Sequence, residues 1–502
     1  MKTLFLPLDE RPCNAWFPKM LENDNLQLIT PDSSILGDKK KPGDTAQIAS
    51  FLKEHCRECD SAVIAVDTLL YGGLIPSRLH HTSAEVLLER LKTLKDIRNL
   101  NPKLKLYTFQ CIMRCPSYNS GEEEPDYYED YGLSIFRSEY LRDKKEREGL
   151  SEAEQAELES LKVPKEITED YAGRRNINLA MNLQTLKLLM EGVIDFHVIP
   201  QDDSSPFGYT AIDQKKVLNY LHENHLETRT MVYPGADEVG MSLITRAWNE
   251  YQGRKPEIYP YYASVLGPTI IPLYEDRPMY ESLKSHIMVT GAKLCRNAEN
   301  ADYVLAINCP GKIMMESFAK QKDVSYSSFR HLPTFVSMIE EDIEEGRKVI
   351  VCDSAFANGG DLELIRFLDE KGLLDRIYAY AGWNTNCNTL GTVLSVGQIS
   401  DTIPVENIIY RIIEDVFYQA DVRLKVIEND LVEMGLGYYD FKDRQDEVEQ
   451  RIGAYLLERY NTLSISRKYP IAKIHVTMPW RRMFEIGMQL SLIHISEPTR
   501  LA

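Results

Sequence analysis

Asp195-Phe-His-Val-Ile-Pro-Gln-Asp-Asp-Ser-Ser-Pro-Phe-Gly208 begins as an apolar run and ends in two acids, two serines, a proline and a glycine. Residues 196–200 read as a buried strand, and the Ser-Ser-Pro stretch with its glycine stops it at once. Asp202 and Asp203 therefore stand just past the carboxyl end of a strand, where α/β folds concentrate their chemistry. Neighbouring side chains within a strand point to opposite faces, but past its end the chain turns and both carboxylates can lean into one pocket. Two acids with pKa values pushed apart form a proton-transfer pair. The competing reading has one Asp capping a helix that starts near Thr210 while the other is solvated. Taken alone, the pair favours capping.

Working outward, the same unit recurs. Residues 3–8 lead into Asp9-Glu-Arg-Pro-Cys-Asn14, and 62–66 into Asp67 and Tyr71-Gly-Gly73. Residues 104–109 lead into Gln110 and Arg114, and 229–233 into Pro234-Gly-Ala-Asp-Glu238. Runs at 259–263, 303–307, 349–352 and 378–381 repeat the pattern, the last two followed by Asp353 and by Trp383-Asn-Thr-Asn386. Amphipathic runs at helical spacing, such as 84–97 and 176–190, lie between them. Alternating β and α elements mean a parallel sheet. The number of repeats, the polar residues after nearly every strand and the lack of Gly-x-Gly-x-x-Gly after the first strand predict an α/β fold closed as a (β/α)8 TIM-like barrel over 1–400. Residues 26–30 are then an accessory strand, one of 259–263 and 303–307 lies outside the barrel, and the Asp202-Asp203 strand is fourth of eight.

A helical insertion at 120–164 follows the third strand, with a capped helix opening at Ser151. It reads either as a lid over the site or as a solvated charged face. Residues 401–489 read as a C-terminal helical region. Leu490-Ser-Leu-Ile-His-Ile-Ser-Glu-Pro-Thr-Arg500 resembles a translated sequencing adapter, so 490–502 is expected to be a non-native tail.

Composition narrows the partners. The net charge of -18 argues against nucleic acid or an anionic membrane surface. No apolar run is long enough to span a membrane, and Met1-Lys-Thr-Leu-Phe-Leu-Pro-Leu8 meets Asp9 too soon for a signal peptide, so a cytoplasmic location is expected. Nine cysteines, with Cys56/Cys59 and Cys111/Cys115 spaced unlike a zinc ribbon or finger, read as reduced structural thiols. No metal or cofactor is expected, His80-His81 being the only plausible metal pair, and the oligomeric state is open. His197 reads as core.

Other strand-end residues carry two readings each. Arg11 either clamps a substrate oxygen or pairs with its acidic neighbours. Asn358-Gly-Gly-Asp361 allows close backbone approach to a ligand, while Asp361 also suits the cap of the next helix. Asp237-Glu238 suits the cap of a helix from Val239. Trp383 with Asn384 and Asn386 offers an apolar platform and amide donors for a sugar ring, or else a buried structural indole.

Leu6-Pro-Leu-Asp-Glu-Arg-Pro-Cys-Asn14, Asp67-Thr-Leu-Leu-Tyr-Gly-Gly-Leu74, Pro200-Gln-Asp-Asp-Ser204, Tyr233-Pro-Gly-Ala-Asp-Glu238 and Gly382-Trp-Asn-Thr-Asn386 together resemble a bacterial family of unknown function, over nearly the whole chain to about residue 484. More distantly, consecutive acids after a fourth strand resemble the O-GlcNAcase-like β-N-acetylhexosaminidase barrels, which hydrolyse with help from the substrate's own acetamide. That resemblance implies a glycoside hydrolase removing a terminal β-N-acetylhexosamine (GalNAc or GlcNAc). It makes Asp202 the residue that polarises the acetamide and Asp203 the acid/base. Asp9, Arg11, Asp67, Tyr71, Asp237, Asp353, Asn358, Trp383, Asn384 and Asn386 would bind the carbohydrate. Two rivals remain: a metal-dependent hydrolase using Asp9, Asp67, Asp202 and Asp353, and a non-catalytic carbohydrate-binding barrel.

Overall fold

The computed structural model describes residues 1–493, so the adapter-like tail from 494 on lies outside the described residues. The chain divides into two compact units. The first is Met1–Lys255 with Tyr274–Ala292, and the second is Pro256–Leu273 with the chain from Lys293 onward.

The first unit holds β1 (Lys2–Leu6), β2 (Gln27–Ile29), β3 (Ser61–Ala65), β4 (Lys105–Phe109), β5 (Phe196–Gln201) and β6 (Thr230–Pro234). They form one parallel sheet in the order β2-β1-β3-β4-β5-β6. Strand alternation builds both of its faces. Leu4, Leu6, Ala62, Ile64, Leu106 and Ile199 join one core with Ile48, Leu52, Leu91, Leu94, Leu189 and Leu221 of the flanking helices. Each such fully buried Leu or Ile contributes about 1.5–3 kcal/mol. Phe5 and Phe109 instead meet the helix Val239–Tyr251, where a Cβ on Gly240 would come within 3.0 Å of the Phe5 ring. β3 and β5 are buried at every residue, as strands of a parallel sheet covered on both faces are.

The second unit repeats the design with β7 (Glu257–Tyr262), β8 (Lys293–Leu294), β9 (Tyr303–Asn308), β10 (Met315–Glu316), β11 (Val349–Asp353), β12 (Phe356–Ala357) and β13 (Ala379–Ala381). Its main sheet runs β13-β11-β9-β7-β8, all parallel, while β10 and β12 pair separately. In both units the second strand lies outside the first, and the chain then returns to the first strand's other side. In doubly wound sheets this reversal leaves a crevice at the carboxyl ends of the first and third strands, where ligands bind.

The expected alternation of strands and helices in parallel sheets is present, and the ladders among the described residues run as one six-stranded and one five-stranded parallel sheet. β1 has β2 on one side and β3 on the other, so the first strand is interior to its ladder. Residues 27–29 are thus an edge strand of the sheet, and β7 and β9 are both ladder members. The unit boundary at Lys255 falls inside the span 1–400 expected to be one domain.

The insertion is helical, with Tyr128–Arg147 and Glu152–Ser160. Ser151 and Glu154 form a reciprocal capping box. Beyond 401 the chain is mostly helical as far as Tyr460, with a non-helical break at 435–444 and a wide π-helical stretch at Ile412–Val422. An antiparallel hairpin of β14 (Ile471–Thr477) and β15 (Gly487–Leu492) follows, where only helix was expected. Gly453 lets the helix Gln445–Tyr460 close on it, since a Cβ there would lie 2.5 Å from the Ile474 carbonyl oxygen. No helix of the described residues is long and apolar enough to cross a membrane.

Candidate functional site

In the first unit the aspartate pair does not cap a helix. The helix after β5 starts at Tyr209 behind Gly208, whose N–H donates to Asp143 at 2.9 Å. Asp203 takes a left-handed φ of 48°, and this turn brings both carboxylates to the same guanidinium. Arg114 Nη1 lies 3.1 Å from Asp203 Oδ2 and 3.6 Å from Asp202 Oδ2. Asp202 Oδ2 also accepts from Arg78 Nη2 at 2.8 Å. About a quarter of each aspartate side chain stays accessible, 26% and 25%. Withdrawal from water, and next the Asp202 charge, push the Asp203 carboxyl up to about 6 against the pull of Arg114 and Arg78.

Behind β1 and β6 a second cluster forms. Arg11 Nη2 donates to Asp9 at 2.7 Å and to Asp237 at 2.6 Å, and Asn14 Nδ2 donates to both acids at 2.9 Å. Arg11 therefore ties the first and sixth strand ends together. Burial pushes Asp237 up to about 6, opposed by Arg11 and assisted by Asp9 and Asp202. Glu238 does not cap its helix. Its carboxylate accepts from the Ala236 N–H at 3.1 Å and lies 3.2 Å from His286 Nε2, holding the turn that presents Asp237.

Between the clusters, Asp67 is 2% exposed and accepts the Cys111 N–H at 2.8 Å. Burial pushes its carboxyl up to about 7. The charges of Asp67, Asp202 and Asp237 all act on the Cys111 thiol, so these strand ends share one neighbourhood. Tyr71 stacks on His80 at 4.5 Å, and its buried hydroxyl has no hydrogen-bond partner. His80 itself is held by Asn178 at 2.7 Å.

The remaining expected residues belong to the second unit. Asp353 Oδ1 accepts from Asn308 at 2.8 Å, and Oδ2 accepts from Tyr380 Oη and the Asp361 N–H at 2.7 Å each. Burial and the Asp361 charge push Asp353 up to about 6. Asp361 caps the next helix through the Glu363 N–H and binds Arg330 at 2.7 Å. Asn358 donates through its side chain to Glu316 at 2.9 Å and through its backbone to the Asn384 carbonyl at 2.8 Å. Trp383 Nε1 donates to Thr392 at 3.1 Å and its ring is buried, as in the competing reading of a structural indole. Asn386 is buried at the start of the helix Asn386–Ile399.

A family model described as "Protein of unknown function (DUF4127)" matches residues 3–489. The chain belongs to that family. No curated protein matches the chain. The family match spans all five motifs quoted above and stops at residue 489, where the adapter-like tail was expected to begin.

Sequence reading left this family member's arginines and the insertion's glutamates without a role at the aspartate pair. Arg78 is 1% and Glu124 0% exposed. Arg114 Nε donates to Glu124 at 2.7 Å and Nη2 to Glu123 at 2.9 Å. The signal was present in Ser77-Arg78 and in Glu122-Glu-Glu-Pro125, but a run of acids in a charged insertion looks solvated. All nine cysteines are free and buried, and His197 is a core residue held neutral, its pKa lowered to about 3 by burial. Among the described residues no three His, Cys, Asp or Glu side chains converge as a metal site.

Proposed function

We propose that this protein is a glycoside hydrolase that removes a terminal β-N-acetylhexosamine by substrate-assisted retention. The observation that carries the reading is the division of labour within the aspartate pair. Asp202 is anchored by Arg78 at 2.8 Å, while Asp203 beside it is an acid pushed up to about 6. An anchored carboxylate suits the residue that orients the acetamido N–H and balances charge on the forming oxazolinium ring. A carboxyl that titrates near neutrality suits a general acid.

In the first step the acetamido oxygen attacks the anomeric carbon as the glycosidic C–O bond breaks, and Asp203 gives its proton to the leaving oxygen. In the second, Asp203 takes a proton from water, which opens the oxazoline at the same carbon with net retention. Asp67 and Tyr71 would bind sugar hydroxyls by the same resemblance. The mechanism needs two acids at the carboxyl end of a parallel strand. It does not need a closed eight-stranded ring.

The test is a panel of aryl β-glycosides with and without the 2-acetamido group, in gluco and galacto forms. Only acetamido sugars should be cleaved, with inhibition by a thiazoline mimic of the intermediate. Activity should fall as pH rises through about 6, where Asp203 loses its proton. Asp203→Asn should lower kcat about 100-fold or more. Equal cleavage of plain glucosides sinks the mechanism. Loss on chelation with recovery on adding metal selects a metallohydrolase, and sugar binding without turnover selects a lectin-like role.

A further inference from the structure

We infer that Glu124, carried by the insertion, is a positioning residue for the aspartate pair, with Glu123 as its auxiliary. One carboxylate oxygen does the joining. Glu124 Oε1 accepts from Arg78 Nη1 at 3.2 Å and from Arg114 Nε at 2.7 Å. The opposite ends of these guanidiniums hold the aspartates, Arg78 Nη2 on Asp202 at 2.8 Å and Arg114 Nη1 on Asp203 at 3.1 Å. Glu123 adds contacts at 2.9 Å to Arg114 and 3.6 Å to Arg78, with 17% of its side chain exposed.

The second oxygen of Glu124, Oε2, is buried without a hydrogen-bond partner. Burying a carboxylate in this way is costly unless its charge is needed. Here it is needed, because Arg78 and Arg114 are both buried cations. The groups facing Asp203 are Asp202, Arg114, Arg78 and Glu123, with Tyr118 beside them. With the glutamates in place, the arginines are neutralised from the insertion side and draw less on Asp203. Without them, both guanidiniums turn to the aspartates and hold Asp203 ionised. The segment at 120–126 therefore completes the acid, and is more than a cover over it.

The kinetic consequence rests on the proposed hydrolase, but the deciding measurement does not. Carbodiimide with an amine nucleophile labels protonated carboxyls, and peptide mass spectrometry reads the labelling of Asp203 across pH in the full chain. In Glu124→Gln the Asp203 profile should move to lower pH, and in Glu123→Gln it should move the same way by less. If Glu124→Gln fails to fold, Glu123→Gln decides alone. On a cleaved acetamido glycoside at pH 7, Glu124→Gln should lower kcat about tenfold with KM changed less than about threefold. A labelling profile unchanged in a folded variant overturns the inference. A wild type that cleaves no acetamido glycoside overturns the hydrolase, while the labelling still decides whether the insertion sets the acid.

Discussion

Replacing Asp67 with Asn should stabilise the first unit increasingly as pH rises from about 4 to 7, and by a constant amount above that. The carboxyl is 2% exposed and its pKa stands at about 7, against 3.8 for the ordinary group. Below about pH 3, the group is largely protonated in folded and unfolded chains alike. Between pH 4 and 7 the unfolded chain gives up this proton while the folded one keeps it, so the wild type loses stability as pH rises. Above pH 7 the loss is complete. About three decades of proton affinity at about 1.4 kcal/mol each set the loss at about 4 kcal/mol. Asn keeps an oxygen for the Cys111 N–H, which donates to Asp67 at 2.8 Å, and carries no charge to desolvate. Urea unfolding of wild type and Asp67→Asn at pH 4, 6 and 8 measures the difference, since the other acids titrate equally in both. The variant should lie within about 1 kcal/mol of wild type at pH 4 and lead by about 2–4 kcal/mol at pH 8. A gap that stays constant across pH, or a variant weaker at pH 8, refutes the assignment of the cost to the buried charge.

Three further outcomes follow from packing and chemistry. Gly72→Ala places a Cβ 2.6 Å from the Gly43 nitrogen at a φ of 85°, so it should cost about 2 kcal/mol or more, read as a lowered Tm, and an unchanged Tm contradicts the geometry. Ser151→Ala removes the capping box of the insertion helix and should cost about 1 kcal/mol. Hydrogen exchange should rise in Glu152–Ser160 and not in β3, and a change in both places would mean that the helix is not a separate opening unit. The native protein should leave its nine cysteines unreacted with a thiol reagent at pH 8 and expose all nine on denaturation, because they are buried and burial pushes thiols such as Cys59 up to about 12. Fast labelling of any one in the native state would contradict this.

The strand ends were legible because apolar runs stop at Pro, Gly and acids. Asp9, Asp67, Asp202, Asp203 and Asp237 all follow the carboxyl ends of strands of the first unit's sheet. The strand order was not legible, since an open sheet and a closed ring share the same alternation along the chain. What separates them is the place of a three-residue strand, Gln27–Ile29, whose short run carries little periodic signal. The residues around Asp202-Asp203 were hidden for a different reason. Glu124 sits in a run of acids, and only the folded position of Arg78, 46 residues away in sequence, turns that acid into a buried partner. Trp383 shows the converse. Its neighbours Asn384 and Asn386 suggested a sugar platform, but Thr392, one helical stretch onward, takes the indole N–H.

The interleaving of the two units has a consequence for how the protein is made. Emerging from the ribosome, the chain delivers β7 of the second unit before the first unit has received its last piece, Tyr274–Ala292. That piece carries His286, the partner of Glu238 beneath the turn that presents Asp237. From Lys255 to Ala292 is 37 residues, roughly 2–7 s of synthesis. During that interval the first sheet has all six strands but lacks the support of its sixth strand end. A nascent chain arrested at Lys255 should hold a sheet without a finished site, and neither unit can be released intact by a single cut.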